Sequence, residues 1–103
     1  MGLIAATVTK QYLIAYKNEL EYKMILIKQA KFGLSDSVNE LLNAGTDMDP
    51  ENPMVKQLEQ RKERLNLLEK KLDMQLEEYE TRLKMVDVGM KQCDEMISGA
   101  IKG

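Results

Sequence analysis

The stretch Asp47-Met48-Asp49-Pro50-Glu51-Asn52-Pro53 decides the fold, because it interrupts the helical pattern of the chain and holds both of its prolines. A residue that precedes proline is disfavoured in helical geometry, so Asp49 and Asn52 should be extended. Asn52 is also a good N-cap, and Pro53 suits the first position of a helix. The stretch therefore predicts a turn over residues 45–52 and a second helix that starts at Pro53.

The residues before the turn have the pattern of one long helix. Apolar side chains recur at intervals of three and four, as on one face of a helix, and Lys31 is the poor member of this stripe. Gly45 stands where a C-cap glycine ends a helix. We therefore expect a first helix over residues 3–43. Its stripe comprises Leu13, Tyr16, Leu20, Met24, Ile27, Leu34, Val38 and Leu41.

A break in this first helix is the alternative. Gly33 is unfavourable in a helix interior, and Ser37 followed by Glu40 has the form of a capping box. A break would fall over residues 33–37. Because the apolar stripe keeps its phase across this segment, a continuous helix is favoured.

The segment after the turn has the most regular pattern in the chain. One stripe repeats every seven residues, and a companion stripe begins at Leu68 and then shifts by one residue to Leu76. We expect a coiled-coil-like helix over residues 53–100 with a charged, solvated outer face. The first stripe is Leu58, Leu65, Leu72, Tyr79, Val86, Cys93 and Ala100, and the companion stripe is Leu68, Leu76, Leu83, Met90 and Ile97.

These patterns predict an all-α fold, a long antiparallel helical hairpin that forms a single domain over residues 1–103. The two stripes would meet in the hairpin seam. A hairpin alone lacks the third or fourth helix that encloses a bundle core, and both ends of the chain carry more apolar residues than one seam needs. We expect these residues either to deepen the base of the hairpin or to form an assembly interface. They are Leu3, Ile4, Val8, Tyr12, Ile14, Met85, Val88, Met90, Met96, Ile97 and Ile101.

The composition argues against catalysis and against metal or cofactor binding by this chain. It has no histidine and a single cysteine, Cys93, which falls on the seam and reads as an inert thiol. The acids Asp47, Asp49 and Glu51 alternate as in a calcium loop, but Asn52 and Leu58 stand where that loop needs glycine and glutamate. We expect no enzyme activity, no metal and no cofactor.

Charge and hydropathy restrict the partners and the location. The 17 acidic and 15 basic residues give a net charge of -2, which argues against general nucleic-acid binding. No apolar run reaches the length of a membrane span, and residues 1–17 carry too few basic residues for a membrane-surface helix. The N-terminal residues lack the basic region of a cleaved signal, so we expect synthesis in the cytoplasm without a cleavable signal.

At the turn, Pro50-Glu51-Asn52-Pro53 resembles the P-x-x-P turn of type III secretion needle subunits, with Leu58 as the first apolar residue of the following helix. The stretch Val86 to Ile101 has a loosely similar mix of small, apolar and polar residues. The resemblance implies a non-enzymatic hairpin that is exported and packs helically into a hollow filament. It also implies that the C-terminal helix lines the lumen and that the turn lies at the head of the subunit.

Two functions follow as hypotheses. The first is a structural subunit that assembles with itself, into a filament or a needle-like tube for secretion. The second is a coiled-coil adaptor, chaperone or regulator that dimerises into a four-helix bundle and acts on a protein partner.

Overall fold

The computed structural model describes residues 2–45 and 48–102. They form two helices, α1 (Leu3–Gly45) and α2 (Pro53–Lys102), on either side of the turn. The predicted all-α helical hairpin is confirmed, and each helix extends two residues beyond its predicted end.

α1 is continuous through Gly33, so the alternative of a break over residues 33–37 is wrong. The Ser37 hydroxyl donates a hydrogen bond of 3.1 Å to the Gly33 carbonyl, one helical turn earlier. This bond places Ser37 inside the helix, where its hydroxyl caps no helix end. The apparent capping box is therefore a pair of ordinary helix positions.

The turn is fixed by local hydrogen bonds around Asp49. The Asp49 carboxylate accepts a bond of 3.1 Å from the Glu51 N–H, and its carbonyl accepts one of 2.9 Å from the Asn52 N–H. The Asn52 side-chain oxygen then accepts a bond of 3.0 Å from the Met54 N–H, which is the predicted N-cap of α2. Residues 46 and 47 of the predicted turn lie outside the described residues.

Gly45 ends α1 in a different way from the prediction. It is the last helical residue, and its φ is not positive, so it lacks the left-handed conformation that favours glycine at a C-cap. Its carbonyl accepts a hydrogen bond of 3.4 Å from the Met48 N–H. The terminal carbonyl of the helix thus accepts its hydrogen bond from a turn residue. No backbone geometry that only glycine could adopt is involved.

The chain divides into two compact units, and each takes a segment from both helices. We call them the terminal unit, with described residues 2–25 and 77–102, and the turn unit, Leu26–Leu76, of which residues 46 and 47 are not described. In both units the side chains with the lowest exposure recur at intervals of three and four on each helix.

The α1 side of the seam keeps a strict seven-residue repeat. Ala6 and Leu20 are almost completely buried, at 0% and 1% exposure. Three positions of the same seam are lysines, and Lys31 is one of them, which explains why it fits the apolar stripe poorly. The buried and half-buried positions of this repeat are Ala6, Lys10, Leu13, Lys17, Leu20, Met24, Ile27, Lys31, Leu34, Val38, Leu41 and Gly45. Tyr16, a predicted seam residue, is also half-buried but lies one residue before the repeat, which passes through Lys17.

The α2 side repeats in the same way, and Leu68 is a correction to the predicted seam. Leu68 is 45% exposed, whereas its neighbour Glu69 is half-buried at the seam position. The repeat therefore passes through Lys62 and Glu69 and does not drift by one residue. Long charged side chains can occupy such positions because their aliphatic stems pack while their charged ends reach water. The observed seam is Val55, Leu58, Lys62, Leu65, Glu69, Leu72, Leu76, Tyr79, Leu83, Val86, Met90, Cys93 and Ile97.

Lysines in the α1 seam pair with aspartates on α2 and mark an antiparallel register. In the terminal unit, Lys17 Nζ lies 2.9 Å from Asp87 Oδ1, and Lys10 Nζ lies 2.5 Å from Asp94 Oδ1. A step of seven residues along α1 is thus matched by a step of seven residues back along α2.

The turn unit has the same kind of pair between Lys31 and Asp73. Hydrogen bonding to the Asp73 carboxylate raises the pKa of Lys31 and outweighs the opposing effect of burial. Lys31 follows Lys17 by fourteen residues in the sequence, and Asp73 precedes Asp87 by the same number.

Candidate assembly surface

The predicted assembly residues divide into two groups. Met90 and Ile97 are half-buried at seam positions, so they pack within the hairpin. The other nine are exposed, from Ile14 at 39% to Ile4 at 80%. These nine are Leu3, Ile4, Val8, Tyr12, Ile14, Met85, Val88, Met96 and Ile101.

The most apolar exposed surface is the side of α1 opposite its seam in the terminal unit, which we call the α1 outward face. Val8 and Tyr12 on this face are 59% and 68% exposed, and Tyr22 is 62% exposed. Glu19 is its only charged residue. The face comprises Ile4, Ala5, Val8, Gln11, Tyr12, Ala15, Asn18, Glu19, Tyr22 and Ile25.

α1 is thus apolar on two opposite sides within the terminal unit. A surface helix in a globular protein normally carries one apolar stripe and turns polar residues to solvent. α2 covers only the seam side here, so the second apolar side has no partner among the described residues. Exposed apolar surface of this kind is typical of interaction sites in proteins.

The outward face of α2 in the same unit is different, because charged residues dominate it. Glu77, Lys84, Lys91 and Glu95 all lie on this side and are exposed. Two apolar side chains interrupt the charges: Met85 at 69% exposure and Val88 at 58%. The terminal unit therefore has a broad apolar face on α1 and a smaller apolar spot on the far side of α2.

An aromatic groove joins the α1 outward face to α2. Tyr12 and Tyr16 stack with ring centroids 6.4 Å apart and nearly parallel planes. The groove continues to Met85, and Arg82 lies at its edge. Since Tyr12 belongs both to the groove and to the α1 outward face, the apolar surface continues round the flank of the unit as far as α2.

Arg82 is held in place by its neighbours. Its guanidinium donates a hydrogen bond of 2.5 Å to the Glu78 carboxylate and lies 5.9 Å from the centre of the Tyr79 ring. Hydrogen bonding with Tyr16 and the charge of Glu78 raise the pKa of Arg82. The groove therefore has at its edge a cation that is already paired with a carboxylate.

Among the described residues, the cysteine lies in the seam and the acidic residues singled out in the sequence lie in the turn. The Cys93 thiol is 5% exposed in the seam, as expected for a structural cysteine. No group of three potential metal ligands occurs among residues 2–45 and 48–102. Asp49 uses its carboxylate within the turn, and Asp47 lies outside the described residues. Neither helix, over the residues described, is long and apolar enough to cross a membrane.

Sequence reasoning found part of this surface and missed part of it. It assigned Ile4, Val8 and Tyr12 to an interface, but it did not include Tyr22 or Ile25. The missed signal is a second stripe with helical spacing on α1, in phase with Val8 and opposite the first.

Known protein families, curated proteins and solved structures were each compared with this chain, and none of them matches it.

Proposed function

We propose that this chain is a non-enzymatic structural subunit that assembles with itself into a filament through its terminal unit. The observation that carries the proposal is the α1 outward face, an exposed apolar surface on the side of α1 that α2 leaves uncovered. Burying apolar surface stabilises association by about 25 cal/mol per Å² before the entropic cost of binding is subtracted. A second copy of the chain is a partner that is always present at matching concentration.

The position of the apolar residues supports an open filament. Val8 lies on the outward side of α1 and Val88 on the outward side of α2, and both are more than half exposed. A contact between two different surfaces of successive copies leaves one of each surface free, so assembly continues. The resemblance of Pro50-Glu51-Asn52-Pro53 to the turn of needle subunits supports a hollow, exported form of such a filament.

A closed dimer is the second candidate, and one observation favours it. The α1 outward face is much more apolar than the outward face of α2. Two copies that met through α1 alone would bury both apolar faces in a four-helix bundle. Such a dimer would suit an adaptor, chaperone or regulator that acts on a protein partner.

Electron microscopy of the purified protein, together with two charge variants, tests the proposal. Val8→Glu places a carboxylate on the α1 outward face, and Val88→Glu does the same on α2. Burying an unpaired carboxylate should cost about 3 kcal/mol or more, which weakens the contact about 100-fold. We expect the wild type to form filaments and each variant alone to form none.

Mixing the two variants distinguishes the modes of assembly. In a head-to-tail contact, the intact α1 face of Val88→Glu binds the intact α2 face of Val8→Glu, so the mixture forms a one-to-one complex. In a closed dimer through α1, Val88→Glu still dimerises and Val8→Glu does not. Ala30→Glu, at an exposed position on the flank of α1 in the turn unit, adds the same charge as a control and should leave assembly intact. Filaments that persist in both variants would overturn the proposed surface, and persistent wild-type monomers would overturn self-assembly.

A further inference from the structure

The turn unit has opposite charges on the outward sides of its two helices. On α1, the positions opposite the seam are acidic or uncharged, with Asp36 and Glu40 one helical turn apart and Phe32 one turn before them. No basic residue occurs on this side of α1 between Leu26 and Gly45. We call Phe32, Asp36 and Glu40 the acidic face.

The outward side of α2 in the same unit is basic. It carries four cations and a single acid, Glu63, and all of these side chains are exposed. Two exposed apolar residues lie among the cations: Leu67 at 60% and Met74 at 69%. The cations are Lys56, Arg64, Lys70 and Lys71, and we call them, with Leu67 and Met74, the basic face.

These charges have no partners within the described part of the chain. Each seam lysine of α1 forms an ion pair with an aspartate of α2. In contrast, neither Asp36 nor Glu40 forms an ion pair with any residue in 2–45 or 48–102, and the same holds for Arg64 and Lys71. The hairpin thus pairs the seam lysines of α1 with aspartates of α2 and leaves two outward faces of opposite sign without ion pairs among the described residues.

We infer that the acidic face of one copy binds the basic face of the next copy. The inference rests on the proposed self-assembly and adds the surface that selects the neighbour and its orientation. Each face pairs apolar side chains with one sign of charge: Phe32 would pack near Leu67 and Met74 while the carboxylates meet the cations. Complementary potentials raise the association rate and suppress wrong pairings, because like faces repel.

This arrangement makes the contact directional. Two acidic faces repel each other, as do two basic faces, so a symmetric contact through either face is disfavoured. Each copy has one face of each sign, so a chain of copies in which α1 of one meets α2 of the next satisfies every face except those at the ends. The contact is therefore of the head-to-tail kind that an open filament requires.

Charge reversal tests the inference. One variant carries Asp36→Lys with Glu40→Lys, and a second carries Arg64→Glu with Lys71→Glu. The substituted positions are exposed and helical, so the fold should survive, which circular dichroism checks. Each variant alone presents two faces of the same net sign, because Glu63 and the two new glutamates of the second variant outnumber Lys56 and Lys70. We expect the critical concentration for assembly of each variant to rise about tenfold. Lys28→Glu, on the flank of α1, is the control and should have little effect.

Two rescue experiments decide whether the faces bind each other. A chain with all four substitutions again has faces of opposite sign, and it should assemble at a critical concentration close to that of the wild type. An equimolar mixture of the two variants should also assemble, because copies that alternate satisfy every contact. Rescue in the mixture shows that the contact is between chains. Added salt should weaken the wild-type contact, since exposed charges are screened within about 8 Å at physiological ionic strength.

The failures of the two proposals are distinguishable. If the wild type does not self-associate, the proposed function fails, and this inference fails with it. If the wild type assembles but neither variant changes its critical concentration, or if neither rescue restores assembly, the inference alone is overturned. The inference is also overturned if the basic face binds an anionic lipid surface and not a second copy. In that case, Arg64→Glu with Lys71→Glu abolishes binding to phosphatidylserine vesicles, and Asp36→Lys with Glu40→Lys leaves assembly unchanged.

Discussion

Replacing Leu20 by alanine tests the seam most sharply, because Leu20 is 1% exposed and is the largest fully buried side chain among the described residues. The substitution removes three carbon atoms, worth about 0.8 kcal/mol each on transfer from water. A cavity adds to this loss, but the open flanks of a two-helix seam let the neighbours relax into part of it. We therefore expect the free energy of unfolding to fall by about 3 kcal/mol.

Leu68→Ala is the matched control, because it makes the same chemical change at a leucine that is 45% exposed. It should cost about 1 kcal/mol or less, in proportion to the smaller area removed from water. Urea unfolding followed by circular dichroism at 222 nm measures both variants. The titrations are repeated at several protein concentrations, because self-association would add to apparent stability. A cost for Leu68→Ala equal to that for Leu20→Ala would refute the seven-residue seam described above.

Three further predictions concern the helices and their ion pairs. Gly33→Ala should raise the free energy of unfolding by about 0.5–1 kcal/mol in the same urea titration, because glycine is unfavourable in a helix and an added Cβ meets nothing within 4 Å. A loss of stability in this variant would contradict the prediction. Asn52→Ala should lower the free energy of unfolding by about 1 kcal/mol by removing the N-cap of α2, and Asn52→Ser should retain most of it; an equal loss in both variants would show that the cap contributes nothing. Hydrogen bonding to Asp87 and the charge of Asp87 raise the pKa of Lys17. The stability that this pair contributes is therefore complete below the ordinary lysine pKa and is lost as the pH rises through the raised pKa. An NMR titration should show a lower Lys17 pKa in Asp87→Asn, and an unchanged pKa would refute the pairing.

The start of α2 could be predicted from the sequence because it depends on local chemistry, whereas the C-terminal ends of both helices were predicted two residues too early. Asn52 before Pro53 specifies a helix start through one side-chain hydrogen bond and one fixed dihedral angle. The absence of a break at Gly33 was also predictable, since the apolar stripe keeps its phase on both sides of that residue. Packing against α2 offsets the intrinsic cost of a single glycine.

The charged members of the seam were not predicted, because apolar identity was used to choose seam residues. Lys10 and Lys17 look like surface residues, yet their stems lie at seam positions and their ammonium groups reach aspartates on α2. The same assumption put Leu68 in the seam in place of Glu69. A search for lysines and aspartates that share a seven-residue spacing in opposite directions would have found the register.

The outward surfaces were predicted in part for a related reason. Periodicity identifies one apolar stripe on a helix, and a second stripe on the opposite side reads as a loss of pattern. Tyr22 and Phe32 therefore gave no clear signal until the seam was located. The same applies to the charged faces of the turn unit. The whole chain has nearly equal numbers of acidic and basic residues, so their segregation onto different helices is visible only when the outward positions of each helix are known.

Sedimentation velocity of the wild-type protein across micromolar concentrations tests the central claim most directly. The account predicts that the weight-average sedimentation coefficient grows with concentration and does not level off at a dimer. A compact monomer whose sedimentation coefficient stays constant across that range would contradict it.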